Sequence, residues 1–97
     1  MHRSVGYTES GELAYLIDQL REQLATEPLE DLALTRELET VLGRLVTRNQ
    51  RLRVLQRLMR AGGSVEHMAA IREALEQVDA ELLRDLPALL EHLRAAR

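Results

Sequence analysis

The chain has 97 residues and a formal net charge of −3, which suits one domain with a modest core. With no cysteine it can form neither disulfides nor thiolate metal sites, and no apolar run approaches the ~20 residues that cross a bilayer. Aromatics are limited to Tyr7 and Tyr15 while leucines number twenty, so the core is aliphatic and favours helix-on-helix packing over a sandwich of strands.

The charge is segregated. Residues 9–39 carry nine acids against Arg21 and Arg36; residues 40–63 carry six arginines and no acid; residues 64–97 carry seven acids against four arginines. Such an order predicts segments that neutralise one another, within a chain or between chains. All thirteen basic residues are arginine. That choice suits bidentate anion contacts, and it also follows from a GC-rich coding sequence.

Residues 1–9 lack periodicity and read as a flexible tail. Ser10 is a suitable N-cap for a short helix over about 10–25, with Leu13, Ile17, Leu20 and Leu24 as its apolar stripe and Tyr15 on the opposite face. A second helix is predicted over about 28–61, capped by Thr26 or Glu27, with Pro28 in its first turn and Glu30 and Asp31 following. Its stripe comprises Leu34, Leu38, Val41, Leu42, Leu45, Asn49, Leu52, Leu55 and Met59. At the standard rise this helix is about 50 Å long. Gly43 inside it offers a place for close approach of a neighbour.

Gly62 and Gly63 supply a left-handed helix end, and Ser64 caps a third helix over about 65–96. Met68, Ile71, Leu75, Val78, Leu82, Leu86, Leu89 and Leu93 form its stripe, whose phase continues past Pro87. The proline therefore either kinks one helix near 85–87 or opens a separate final helix capped by Asp85, and the unbroken phase favours the kink. The expected fold is all-α: a short N-terminal helix plus a long antiparallel αα-hairpin in a single domain, with Arg44 level with Glu81 and Leu42 with Leu83. Part of the long stripe is left uncovered, and pairing two chains into a helical bundle covers it, so a homodimer is expected.

The six arginines fall in two rows, Arg44, Arg48 and Arg51, then Arg53, Arg57 and Arg60, at i, i+4, i+7 spacing on either flank of the stripe. Flanking rows resemble the e and g positions of a coiled coil, whose stems cover a seam while their heads meet acids. Asn49 within the stripe is of the kind that fixes register and oligomeric state. Val54 and Leu58 add an apolar patch behind the stripe, and with Asn49 and Tyr15 they make up the candidate interaction surface.

Residues 51–71, "RLRVLQRLMRAGGSVEHMAAI", resemble the second helix–turn–helix of MerR-type regulators, through Leu52, Leu55, Leu58, Gly62, Ser64, Val65, Glu66 and Met68. The resemblance covers about a fifth of the chain and lacks the family's DNA-reading first helix–turn–helix and wing. It implies the alternative of a nucleic-acid-binding regulator using Arg44, Arg48, Arg51, Arg53, Arg57 and Arg60.

No catalytic constellation is present in the sequence. His2, His67 and His92 are dispersed, Ser10 and Ser64 read as caps, and "AGGS" lacks the lysine of a phosphate loop. The reading is a non-enzymatic, cytoplasmic, helical homodimer. It takes no cofactor or metal, engages no membrane, and acts by binding another, unidentified protein as an adaptor, regulator or small chaperone-like factor.

Overall fold

A computed structural model describes residues 7–25 and 30–96. Among these residues the chain is all-helical, with three helices and no strand. None of the helices is long and apolar enough to cross a membrane.

Helix α1 spans Gly11–Leu24. Ser10 caps it in extended conformation, its Oγ accepting the Leu13 N–H at 3.0 Å and so satisfying one of the first-turn donors that a helix leaves unpaired. The buried face is Leu13, Leu16 and Leu20, with Ile17 half-buried. Leu16 takes the place that the sequence assigns to Leu24, which is exposed in the last turn.

Helix α2 spans Leu32–Ala61 and is capped by Asp31, whose carboxylate accepts the Leu34 N–H at 3.1 Å. The start predicted near residue 28 therefore moves to 32. Glu30 and Asp31 precede the helix, because an aspartate at the cap uses its side chain on the orphan donors. Thr26, Glu27 and Pro28 lie outside the described residues, as do residues 1–6 with His2. At the far end Gly62 adopts φ 72°, the left-handed conformation that glycine enters without steric cost. The N–H groups of Gly62 and Gly63 both reach the Leu58 carbonyl, the latter at 2.8 Å, closing off the last turn. Close approach occurs at Gly63 rather than Gly43: a Cβ on Gly63 would lie 2.7 Å from Leu58 Cδ2, whereas one on Gly43 meets open space.

Helix α3 spans Val65–Ala95, with Ser64 Oγ accepting the His67 N–H at 3.0 Å. It runs through Pro87 as one helix. The proline ring faces solvent, and the neighbouring Leu86, Leu89 and Leu90 are buried, so packing on both sides of the proline offsets its missing N–H.

Cross-helix partners descend in α3 as they ascend in α2: Glu37 with His92, Arg44 with Asp85 and Glu81, and Arg48 with Asp79. The two helices thus run in opposite directions over a body 50 Å long. Helix α1 packs on α3, and its backbone stays more than 8 Å from that of α2 at every residue pair. The main core joins all three helices through Leu13, Leu16, Leu20, Leu34, Leu38, Val41, Leu82, Leu86, Leu89 and Leu93. A smaller core of Leu55, Met68 and Leu75 lies beyond α1, flanked by Leu52, Leu58, Ile71 and Tyr7. One end of the molecule is therefore three helices thick and the other two.

Candidate interaction surface

The arginines divide by partner and not by row. On α2 the buried or half-buried positions toward α3 are Leu34, Leu38, Val41, Leu45, Arg48, Leu52 and Leu55, a 4-3-4-3-4-3 spacing that holds one face of a helix against a neighbour. Arg48 occupies a core position in that series and is 5% exposed. Its Nε donates to Asp79 Oδ1 at 2.7 Å, and its Nη2 donates to Tyr7 Oη at 2.8 Å and to Glu9 Oε1 at 2.9 Å. The Tyr7 hydroxyl in turn donates to Asp79 Oδ2, closing a ring of hydrogen bonds. The guanidinium carbon also lies 5.6 Å from the Tyr7 ring centroid, within cation–π range. A buried charge is tolerated when it is paired and hydrogen-bonded, and here Nε and Nη2 of Arg48 are both engaged, two of the three bonds going to carboxylates.

The tail predicted over residues 1–9 is thus corrected at its end. Tyr7 is half-buried, and Tyr7 and Glu9 are tied to α2 and α3 by a buried cation that a periodicity count assigns to a flank. Withdrawal from water pushes the Asp79 carboxyl up from 3.8 to about 6. Arg48 opposes that push, and at neutral pH the pair is ionic.

Arg44, half-buried, bonds Asp85 and lies 3.5 Å from Glu81. Arg84, bonded to Asp85, together with Arg44 holds that carboxyl below its ordinary range. The other four arginines of the series, Arg51, Arg53, Arg57 and Arg60, are exposed. Among the described residues none of these four meets an acid; Arg60 donates only to the Gln56 carbonyl, at 3.4 Å.

Asn49 is exposed, one step round the helix from the seam that contains Arg48. It lines a groove of about 520 Å³ where α2 stands off from α1. Leu42, Leu45 and Leu52 of α2 and Ile17, Leu20 and Leu24 of α1 form its apolar walls, and Tyr7, Glu9 and Arg48 lie along it. Leu42 is 37% exposed and Val46, one turn along, 56%. The patch expected from Val54 and Leu58 is reorganised. Leu58 turns inward against the small core while Met59, placed in the stripe by sequence, turns out and is 49% exposed. Helix α2 drifts round its axis by about 20° per heptad, which by its last turns has exchanged these neighbours. Val54 is exposed on α2, and Tyr15, 62% exposed, projects from α1 away from the groove walls.

His92 bonds Glu37 at 3.0 Å, His67 is exposed, and among the described residues no group of three or more histidine or acidic side chains is placed to hold a metal ion. Sequence reasoning missed Tyr7, Glu9, Asp79 and Asp85. The available signal was the 4-3-4-3 series through position 48, which puts an arginine in a seam and so requires a buried acid opposite it.

No family model matches the chain, and neither does any curated protein or solved structure.

Proposed function

We propose that the protein is a non-enzymatic interaction module: a helical homodimer, built on the αα-hairpin of α2 and α3, that acts by binding another protein as an adaptor, regulator or small chaperone-like factor. The observation that carries this reading is the apolar groove between α1 and α2, with Leu42 exposed on its wall and Val46 and Met59 exposed elsewhere on the same helix. An apolar groove that a chain leaves open is a common place for association. Size-exclusion chromatography with light scattering tests it. The expected mass is twice that of the chain at micromolar concentration, falling to the monomer mass in Leu42→Glu, while helicity is retained because Leu42 lies outside the core. A wild-type monomer across that range removes the dimer.

A second reading, a nucleic-acid-binding regulator, is favoured by Arg51, Arg53, Arg57 and Arg60, which meet no acidic partner among the described residues. They sit in the segment that resembles MerR-type regulators. The net charge of −3 opposes it. If it holds, DNA or RNA binds at low salt and the affinity falls steeply as salt displaces condensed counterions; no binding at low salt eliminates it.

A further inference from the structure

Helix α2 carries a second seam beside the one that faces α3. Leu38, Leu42, Leu45, Asn49, Leu52, Gln56 and Met59 follow a 4-3-4-3-4-3 spacing, and they share Leu38, Leu45 and Leu52 with the first. Leu42, Asn49, Gln56 and Met59, the residues peculiar to it, are all exposed, and the first three line the groove. A helix with two adjacent seams of the same period accepts two helical neighbours, and among the described residues only α3 packs its backbone closely against α2, while α1 stands off across the groove.

The second seam is close to a palindrome about Asn49. Leu45 and Leu52 lie on either side of it, then Leu42 and Gln56, then Leu38 and Met59. An interface that pairs one surface with its own copy through a two-fold axis must be self-complementary in this way. The flanks carry a matching polarity. Along the flank of this seam turned away from α3, Glu39 stands near the N-terminal end and Arg53, Arg57 and Arg60 near the C-terminal end, all exposed. Head-to-tail alignment brings each set beside its opposite. Parallel alignment sets the arginines against their own copies, which costs energy.

We infer that the groove is occupied by α2 of a second copy, the two α2 helices packing antiparallel about an axis at Asn49. This inference rests on the homodimer reading above and adds its surface and its orientation. Leu45 meets Leu52 of the partner, Leu38 meets Met59, and Glu39 comes level with Arg57 and Arg60. The two Asn49 side chains meet at the axis, where each amide offers the other one donor and one acceptor. The partner helix lies between α1 and α2, so Ile17 and Leu24 are covered as well.

The chain contains no cysteine, so single introduced cysteines report without background. Under mild oxidation Asn49→Cys is expected to give a disulfide-linked dimer. Spin labels on Ala61→Cys, exposed at the end of α2, are expected about 36 Å apart by axial rise, against about 10 Å for parallel helices. Reversing Arg57→Glu is expected to raise the dimer dissociation constant about tenfold, and adding Glu39→Arg to recover it. A monomer by light scattering overturns the homodimer reading itself. A stable dimer with no Asn49→Cys cross-link overturns the seam alone, and a dimer with the short label distance overturns the antiparallel orientation alone.

Discussion

Arg48 shows what one charged side chain can require of its surroundings. With Asp79, Tyr7 and Glu9 it forms a network in which each buried polar atom has a partner, so removing either charge alone leaves the other stranded. Arg48→Leu is expected to destabilise the fold by about 3–5 kcal/mol, and Arg48→Leu with Asp79→Leu to recover most of that loss, measured by urea unfolding. The pH dependence follows from the same pair. Without Arg48 the Asp79 carboxyl loses its cationic partner and keeps the Tyr7 hydroxyl as a donor, so in Arg48→Met its pKa is expected to rise above the wild-type value of about 6, as side-chain NMR titration would record. A carboxyl whose folded-state pKa exceeds its unfolded value binds protons preferentially in the folded state. The contribution of this carboxyl to the stability of Arg48→Met therefore increases as pH falls through the raised pKa, most steeply between that value and the ordinary carboxylate value of 3.8. This site was half legible in the sequence. Position 48 falls in the 4-3-4-3 series, but Asn49 beside it completes an equally apolar series, and nothing local decides which of the two faces α3. Tyr7, 72 residues from Asp79, gives no periodic signal at all.

Element boundaries were most legible where a cap states its own chemistry. Ser10, Ser64 and the Gly62-Gly63 pair each act as their residue types dictate, whereas the start of α2 moved because Asp31 caps better than the residues before it. Pro87 interrupts the hydrogen-bond ladder of α3 yet leaves the helix continuous, since its ring points to solvent and leucines anchor both sides. Pro87→Ala restores an N–H able to bond the Leu83 carbonyl and is expected to stabilise the chain by about 1–3 kcal/mol, seen as a raised thermal midpoint. Gly62→Ala acts in the opposite sense. At φ 72° a Cβ crowds the following carbonyl, for an expected loss of about 1–2 kcal/mol in the same measurement.

For the whole molecule, the charge blocks of the sequence are only partly spent within the chain. Arg44 and Arg48 pair with Asp85, Glu81, Asp79 and Glu9, while Arg51, Arg53, Arg57 and Arg60 meet no acid among the described residues. Under the proposed homodimer the thermal midpoint is expected to rise with protein concentration, a dependence a monomer lacks, and calorimetry over a hundredfold range would detect it. The two unequal cores bear on how the chain opens. Leu55, Met68 and Leu75 hold the end beyond α1 with a fraction of the apolar surface that Leu13, Leu20, Leu82, Leu86, Leu89 and Leu93 bury at the other. Amide protons of residues 55–75 should therefore exchange with deuterium through partial openings of α2 and α3, while those of residues 38–42 and 82–93 wait for global unfolding. The tip on which Arg57 and Arg60 stand would then be the part of the protein that most often comes apart and reforms.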